Sequence, residues 1–523
     1  MSLAHPLRHV SCATLRVGGL GLFIALLPPP SISAQSIDVA SDRQLFLDDA
    51  LLDLNLSHNL HRQLNPPTQI ERVLKPERPS EALGFIFYGS VVDDGGVIRL
   101  FHGSYDADKK KHFSLATSRD GRHFERPDLG LTEYRGDRHN NILPVEAVEA
   151  GVFLDPHASA EKRYRLLYTR HWPDPASAGV YVASSPDGIH WQQSERRVFP
   201  FAPDSQHAGF WDPRLQRYVI FLRAWDPLRS IARLETPDLD TPWPYDATVP
   251  PRHIWGPEKI PTPSRELPVV MAPTAEDPPN FQLYTSAAIR YPFAAQAYLA
   301  FPAAYWLFQG DAWKSRALNG NDGTFDIHFA SSRDGVTWQR WPTPYLTAGR
   351  HDGQDLRLVS LCMGLVRRGD ELYQYFIGWP HTHGRPVVWD KDLEDRAQWL
   401  KKDLGGIYRA TQRLDGFVSL DAQTEPSVIT THPLRFIGDR LQLNLHTDAG
   451  GWARVTMLEA DGTEIPGFGI SDAVLLNTDA VNQEVTWQNG ADLSSLEDHP
   501  VRLQITLCRA KLFAFQFLPP TSR

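Results

Sequence analysis

The feature of this sequence that most constrains its fold is a short motif, Ser-x-Asp-Gly-x-x-aromatic, that occurs three times. The copies read TSRDGRHF at 117–124, SSPDGIHW at 184–191 and SSRDGVTW at 331–338. In each copy the serine ends a strand, the aspartate caps the turn, the glycine takes a positive-φ position and the aromatic residue starts the next strand. The motif therefore predicts a β-hairpin turn at each of these places.

Two weaker copies, at 235–243 and 412–420, extend the series to five. Each copy follows two strand-like runs joined by a turn and then a third run, such as GVYVASS at 179–185. Five repeats of four antiparallel strands predict a five-bladed β-propeller over residues 36–422. Residues 42–54 are a candidate for the strand that closes the ring.

The pattern changes after residue 422. From there on, apolar and polar residues alternate, and turns such as EADGTE at 459–464 and QNGADL at 488–493 separate the strands. This pattern predicts a separate antiparallel β-sandwich over residues 423–523. The fold class is therefore all-β, and the 15 Trp, 16 Tyr, 25 Phe and 42 Pro residues suit many short strands better than long helices.

Residues 1–35 have the pattern of a signal peptide. Arg8 and Arg16 supply positive charge, residues 17–27 are apolar, and small residues near Ala34 offer a cleavage site. The apolar run is too short to span a bilayer, so a secretory signal is favoured over a buried helix. We expect a secreted or periplasmic protein without a membrane span.

Composition excludes other classes. The net charge is -9 and no long basic run occurs, which argues against a nucleic-acid partner. No Cys-x-x-Cys or His-Glu-x-x-His spacing is present, so the sequence predicts neither a metal site nor a cofactor. The His-Thr-His run at 381–383 is a weak metal signal, and a loop that faces substrate is the favoured interpretation.

Several stretches carry a resemblance to a known family: LFLDD at 45–49, HNNI at 139–142, FWDPRL at 210–215, LVRRGDEL at 365–372 and LFAFQF at 512–517. With these stretches the chain resembles exported bacterial proteins that have a glycosyl hydrolase family 32-like N-terminal domain, in the clan of invertases, levanases and arabinanases. The resemblance covers nearly all of the chain after the signal peptide. It implies a propeller followed by a β-sandwich, and glycoside hydrolase activity. The invertase motifs Trp-x-Asn-Asp-Pro, Arg-Asp-Pro and Glu-Cys are absent, so no catalytic residue is carried over.

Candidate site residues follow from propeller geometry. The start of the first strand and the end of the second strand of each blade share one rim of the central channel. We call the selection of residues at these positions the rim rule. Aromatic rings there would cover the apolar faces of a sugar, and charged groups would hold its hydroxyls. The predicted substrate-binding residues on this rim are Arg170, Trp172, Gln206, His207, Arg223, Trp225, Tyr284, Trp306, Trp379 and His381.

Glycoside hydrolysis needs a carboxylic acid that protonates the leaving oxygen and a carboxylate that acts as nucleophile or base. The predicted pair on the rim is Asp355 and Glu149, and Asp204 is a third catalytic candidate. Asp155 and Asp212, although each precedes a proline, fall at the opposite rim, where capping of a turn is the favoured role.

The sequence therefore predicts an exported glycoside hydrolase that cleaves a plant- or algal-type glycan with carboxylates at the channel mouth. The alternative is a non-catalytic glycan-binding protein on a degenerate hydrolase scaffold. The absent motifs favour that alternative, as does Gln282, which stands where the similar proteins carry an aspartate. A phosphorylase is a narrower third option, because Arg and His on the rim are able to bind phosphate.

Overall fold

The computed structural model describes residues 36–147, 149–170, 177–225, 228–244, 267–308, 321–384 and 403–520, with the strands Ile254–Trp255 and Ile260–Pro261 between them. The predicted signal peptide and Trp172 lie outside these residues. Within them the regular structure is β-strand, apart from 3-10 turns at Pro79–Glu81, Ala160–Lys162 and Ser494–Leu496. This confirms the all-β prediction. No helix in this part of the chain has the length and apolar character needed to cross a membrane.

The first three sequence repeats each form a separate antiparallel sheet. Sheet 1 contains Phe85–Asp94, Val97–Tyr105 and Lys111–Ser118. Sheet 2 contains Ala150–Leu154, Tyr164–Arg170, Gly179–Ser185 and Gln192–Gln193. Sheet 3 contains Ala208–Asp212, Arg217–Trp225, Arg229–Thr236 and Val269–Met271. In each sheet the strands follow one another in sequence order, as the repeats predict.

The fourth and fifth repeats share one eight-stranded sheet, the joined sheet. Its strands are Phe281–Leu283, Ala303–Leu307, Gly323–Ile327, Leu358–Leu361, Val366–Arg368, Glu371–Trp379, Gly406–Arg413 and Gln69–Leu74. Phe325 pairs with Leu358 in parallel, and the backbone N–H of Phe325 donates to the carbonyl of Arg357 at 3.2 Å. Because this pairing connects two repeats, the propeller-like arrangement has four blades. The prediction of five is wrong in this respect.

The outer half of the fourth repeat pairs separately. Its strands are Ile289–Arg290, Tyr298–Ala300, Ala330–Ser332 and Gln339–Arg340. A two-stranded hairpin, Gly349–His351 with Gln354–Leu356, follows before the fifth repeat begins.

The ring is closed by Gln69–Leu74, which pairs antiparallel with Gly406–Arg413. The prediction that residues 42–54 supply this strand is wrong. That segment contains the short strand Gln44–Leu45, which pairs with Val501–Leu518 instead. Strand propensity alone does not distinguish these two partners.

The C-terminal region forms a nine-stranded sheet together with three N-terminal strands. Its strands are Ile37–Ala40, Gln44–Leu45, His61–Leu64, Val418–Ala422, Ser427–Thr430, Leu434–Phe436, Arg440–Glu459, Asp479–Glu484 and Val501–Leu518. The register between the two longest strands, Arg440–Glu459 and Val501–Leu518, shifts twice. Such bulges bend a long hairpin. Buried Val455, Ile505 and Phe515 belong to the apolar cluster of this region.

The motif turns have the predicted construction. In the third copy, Ser332 Oγ donates to Asp334 Oδ1 at 3.0 Å and accepts the backbone N–H of Gly335 at 2.8 Å. The same carboxylate oxygen accepts the N–H groups of Val336 and Thr337, each at 2.8 Å. Gly335 has φ of 72°. Corresponding bonds occur in both other strong copies.

The aromatic residue of each motif packs on the preceding repeat in the ring. The pairs, with ring-centroid distances, are Phe124 with Tyr375 at 5.5 Å, Trp191 with Phe101 at 6.1 Å, Trp243 with Phe201 at 6.2 Å, Trp338 with Phe221 at 5.6 Å and Phe417 with Phe329 at 5.6 Å. The five turns therefore link consecutive repeats in a ring, including the fourth and fifth repeats, which share one sheet.

The fifth turn also anchors the C-terminal sheet, through Asp415. This buried carboxylate accepts from Arg43 Nε at 2.5 Å and from Tyr291 Oη at 2.7 Å. Arg43 in turn donates to Asn482 Oδ1 at 3.0 Å and to the carbonyl of Val481 at 2.9 Å. Asp415 therefore connects a propeller turn with the N-terminal segment and the C-terminal sheet.

We predict that Asp415→Asn lowers the free energy of unfolding by about 3–5 kcal/mol, because it leaves the buried Arg43 without a counter-charge. Asparagine keeps the size of the side chain and tolerates the positive φ at this position. Urea unfolding followed by fluorescence measures the loss. The matched control, Asp120→Asn in an exposed turn, should cost less than about 1 kcal/mol. Equal losses in the two variants would contradict the prediction.

Candidate functional site

The predicted carboxylates Glu149 and Asp204 both act electrostatically on the phenol of Tyr88. Glu149 immediately precedes the first strand of sheet 2, and Asp204 precedes that of sheet 3. Burial raises the pKa of Tyr88 well above its usual value, and the charges of Tyr284, Glu149 and Asp204 raise it further. Burial likewise raises the pKa of Tyr105, again with a contribution from Glu149. Both residues precede inner strands, as the sequence pattern predicts.

Asp204 forms an ion pair with a buried arginine. Arg223, which is 1% exposed, places Nη1 3.1 Å from Asp204 Oδ2. Its Nε and Nη2 donate to the carbonyl of Tyr284 at 3.1 and 2.9 Å, and its Cζ lies 3.8 Å from the centre of the Tyr284 ring. Burial alone would lower the pKa of Arg223, but the Tyr284 and Tyr88 phenols and Asp204 outweigh it and raise this pKa. The guanidinium is therefore a permanent positive charge beside Asp204.

A second arginine lies beside the first. Arg229, which is 7% exposed, donates from Nη1 to Gln282 Oε1 at 2.6 Å and from Nη2 to Asn321 Oδ1 at 3.1 Å. Its Cζ lies 4.4 Å from the ring centre of Trp225 and 5.3 Å from that of Tyr284. Burial lowers the pKa of Arg229, and the charge of Arg223 lowers it further.

Aromatic rings form a wall next to these charges. The ring of Phe87 lies 4.9 Å from Trp379, 4.5 Å from Tyr88, 5.5 Å from Tyr284 and 5.7 Å from Phe325. The Trp379 ring also contacts the ring of a second predicted residue, His381, with the ring centres 4.6 Å apart and the planes tilted by 40°. Flat rings beside hydrogen-bonding groups are the composition that sugar sites require.

Two histidines of the 381–383 run complete the wall in their neutral forms. His383 Nε2 shares a hydrogen bond with Tyr284 Oη at 2.9 Å, and its Nδ1 lies 3.1 Å from the carbonyl of Asn321. Burial lowers the pKa of His383 to about 3 and that of His381 to about 4. Among the described residues no group of three or more His, Cys, Asp or Glu side chains is arranged to hold a metal ion.

Asp322 is a third carboxylate of the site and was not predicted. It is 1% exposed, and its Oδ1 accepts the backbone N–H groups of Gly323 and Gly384, each at 2.8 Å. Its Oδ2 has no hydrogen-bond partner within the described residues. The charge of Asp322 acts on Tyr305 and on His381, so the carboxylate faces the histidine side of the wall.

Gln206 and His207 lie deeper, near the axis of the propeller. Gln206 Nε2 donates to the carbonyls of Gly89 at 2.6 Å and Ala150 at 2.9 Å, which joins the inner strands of sheets 1 and 2. His207 Nε2 shares a hydrogen bond with Thr169 Oγ1 at 2.7 Å. Both side chains are fully buried, and the contacts described for them hold strands together.

Asp355 is exposed in the hairpin Gln354–Leu356, where it pairs with Arg350. The inner strand of the fifth repeat begins after this hairpin, at Leu358. The pairing of Asp355 with Glu149 stays a prediction.

Arg170 and Trp306 also lie away from this cluster. Arg170 stacks over the rings of Tyr181 and Tyr168, at 4.5 and 5.5 Å. Trp306 donates from Nε1 to Asp326 Oδ2 at 3.0 Å, on the face of its strand opposite to Tyr305. Successive side chains of a strand point to opposite faces. For that reason a residue one position away from a site residue points away from the site.

The two Asp-Pro aspartates cap turns, as predicted. Asp155 Oδ1 accepts the backbone N–H of His157 at 3.0 Å, and Asp212 Oδ1 accepts that of Arg214 at 2.9 Å. The second oxygen of Asp155 accepts from Tyr218 Oη at 2.7 Å. Their hydrogen bonds are those of structural carboxylates at the rim opposite to Glu149.

Sequence reasoning missed Tyr88, Arg229, Tyr305 and Asp322, whereas His383 belongs to the run that was predicted to face substrate. Tyr88 and Tyr305 lie within apolar runs, where they read as core. Arg229 opens the third strand of its repeat, and Asp322 immediately precedes the third strand of the next repeat. Because a third strand starts at the rim where the second strand ends, applying the rim rule to third-strand starts would have found both residues.

Comparisons with known proteins give a fold-level likeness. No protein-family model matches the chain, and no curated protein matches it at a significant level. Among solved structures, a glycoside hydrolase matches 66% of this chain and 92% of its own chain, with 13% identity and a TM-score of 0.42. A glycosyl hydrolase from Bacteroides ovatus matches 71% of this chain and 97% of its own, with 12% identity and a TM-score of 0.41.

A thermostable family-43 glycoside hydrolase is also similar, with 12% identity and a TM-score of 0.38, over 68% of this chain and 95% of its own. These identities and TM-scores are too low to assign an activity or a residue role to this chain. The function must therefore be argued from the site itself.

We predict that acid weakens the fold through the buried neutral histidines. Unfolded His383 takes up a proton near pH 6.5, whereas folded His383 does so near pH 3, so stability is full above pH 6.5 and falls below it. Between pH 7 and pH 5.5 this histidine should cost about 1 kcal/mol. Urea titrations at the two pH values measure the difference, which should shrink by that amount in His383→Gln. An unchanged difference would refute this cause.

Proposed function

We propose that this protein is a glycoside hydrolase whose active site is the cluster of Glu149, Asp204 and Asp322 at the propeller mouth. The observation that carries the proposal is that Asp204 pairs with Arg223, which stacks on Tyr284 of the aromatic wall, while Glu149 and Asp204 both act electrostatically on the buried phenol of Tyr88. Hydrolysis of a glycosidic bond requires at least two carboxyl groups at one opening, one as the acid and one as the nucleophile or base. The bound partner would be a plant- or algal-type carbohydrate.

The surroundings of the two carboxylates support different roles. The ion pair with Arg223 stabilises the charged form of Asp204, which suits a nucleophile or a base that activates water. Glu149 acts electrostatically on the phenols of Tyr88 and Tyr105 and is the other carboxylate of the pair that the reaction needs. We therefore assign Glu149 as the general acid and Asp204 as the base or nucleophile.

The remaining groups would position the sugar. Phe87 and Trp379 offer ring faces for the apolar side of a sugar ring. Asp322 Oδ2, which has no partner in the described part of the chain, would accept a hydroxyl of the substrate. The neutral histidines would complete the contacts as donors or acceptors.

The finer architecture belongs to the same proposal. We propose that residues 1–35 are a leader that directs the protein to the periplasm or outside the cell. Residues 423–523 form a β-sandwich to which the strands at 37–64 belong, because those strands pair with the C-terminal sheet.

A glycan-binding protein without catalysis is the second candidate. The ion pair between Asp204 and Arg223 favours it, because a carboxylate already held by a cation is able to bind hydroxyls without reacting. Tight binding of a glycan that is never cleaved would distinguish this candidate from the hydrolase.

We predict that Glu149→Gln and Asp204→Asn each lower the rate of glycan release by about a hundredfold or more, because each removes one of the two groups that the reaction needs. A panel of plant and algal polysaccharides, with sugar release measured by chromatography, identifies the substrate first. Glu146→Gln, an exposed neighbour on the same segment, should keep wild-type activity.

Asp355→Asn separates the two site assignments. Retained activity in this variant agrees with the cluster described here, whereas loss of activity in Asp355→Asn but not in Glu149→Gln would overturn it. Wild-type protein that binds a glycan but releases no product from it would overturn the hydrolase proposal.

A further inference from the structure

Arg229 is a buried cation whose direct contacts within the described residues are all neutral. Its two terminal nitrogens donate to the amide oxygens of Gln282 and Asn321. Its Nε has no hydrogen-bond partner, and none of the carboxylates in the described residues lies within ion-pair distance of it. A buried guanidinium that lacks a counter-charge costs several kcal/mol, so proteins rarely keep one without a use.

The position of Arg229 places it in the wall of the proposed active site. Its Cζ lies 5.3 Å from the ring centres of both Tyr284 and Tyr305 and 4.4 Å from that of Trp225. Arg223 stacks on the same Tyr284 ring. A ligand that contacts Tyr284 and His383 would therefore come close to Arg229 as well.

The nearby carboxylates do not neutralise this arginine directly. Asp204 is bound by Arg223, and its charge is the weakest of the leading influences on Arg229. Asp322 uses one oxygen for two backbone N–H groups and acts on Tyr305 and His381. Glu149 faces Tyr88 and Tyr105. The region around Arg229 and Trp225 thus retains positive charge, although carboxylates surround the rest of the site.

We propose that Arg229 binds an anionic group carried by the substrate, so that the site accepts acidic sugars, with a carboxylate or a sulfate ester, in preference to neutral ones. The proposal rests on the proposed sugar site and deepens it. Arginine suits this role because its planar fork matches the two oxygens of a carboxylate or sulfate. Trp225 and Tyr284 hold the guanidinium plane by stacking, which limits the entropy lost when the anion binds.

Gln282→Glu is the sharpest test, because it places a carboxylate where Arg229 already donates to a buried amide oxygen at 2.6 Å. The new glutamate would neutralise Arg229 from within and compete with the anion of the substrate. We expect it to lower affinity for acidic glycans at least tenfold and to leave thermal stability unchanged or higher. Arg229→Met should show the same loss of affinity, and Gln488→Glu, an exposed glutamine in the C-terminal region, should behave as wild type.

The binding measurement uses the full chain on an array of matched neutral, uronic-acid and sulfated oligosaccharides. Signals on acidic glycans that disappear in Gln282→Glu and persist in Gln488→Glu support the proposal, and the two acidic sets show whether carboxylate or sulfate is bound. Preference for neutral glycans, or acidic binding that survives Gln282→Glu, would overturn it. Binding of inorganic phosphate that depends on Arg229, without any acidic-glycan signal, would place a free anion at this arginine and would also overturn the proposal.

These experiments distinguish failure of the acidic-ligand proposal from failure of the hydrolase proposal. Cleavage of neutral glycans by the wild type, together with acidic binding that is absent or that survives Gln282→Glu, would refute the acidic preference and leave the hydrolase standing. Acidic binding that depends on Arg229, without any cleavage, would refute the hydrolase and leave this inference standing.

Discussion

The packing of each turn aromatic on the preceding repeat is the interaction on which the rest of this structure depends. Most of the buried apolar clusters in the propeller lie between neighbouring sheets, as where Leu167 and Val180 of sheet 2 meet Ile220 of sheet 3. A single four-stranded sheet cannot bury both faces alone, so the repeats are stable only as a ring. The Ser-Asp-Gly turn fixes the backbone at the point where the aromatic side chain must enter the neighbouring repeat.

Closure of the ring brings the inner strands so close that the axis is filled by backbone and small residues. A Cβ on Gly151 would lie 1.9 Å from the carbonyl of His207, and one on Gly89 would lie 2.5 Å from Cys362 Sγ. Gln206 joins the inner strands across this narrow space. The proposed chemistry is therefore placed at the mouth, at the strand starts that follow Glu149 and Asp204.

At the mouth, burial rather than exposure organises the electrostatics. Arg223 is held by the carbonyl of Tyr284 and by Asp204, so its charge stays fixed next to the proposed reaction centre. The histidines are kept neutral by their surroundings, whereas Arg229 keeps a charge with neutral partners. A site of this kind is arranged in advance for a polar ligand, because its groups need little reorganisation when water leaves.

The rim rule selected Asp204, Arg223 and Tyr284, which contact one another, and Trp379 and His381, whose rings lie side by side. It also selected Asp355, which lies in a hairpin before the fifth repeat, and Trp306, which faces away from its neighbour Tyr305. In both cases the residue differs from the expected position by one structural element or by one residue along a strand. Local patterns do not resolve shifts of that size, because successive side chains of a strand point to opposite faces.

The sequence by itself determined the all-β class, the repeated hairpin turns and the strand order within each repeat, because these depend on local turn chemistry and on the alternation of apolar residues. The tertiary structure alone decided that Gln69–Leu74 closes the ring, that the fourth and fifth repeats share a sheet, and that Asp322 and Arg229 line the mouth. These outcomes rest on pairings between residues far apart in the chain. Such pairings are selected by which surfaces remain to be buried after the local elements have formed, and no local pattern records that choice.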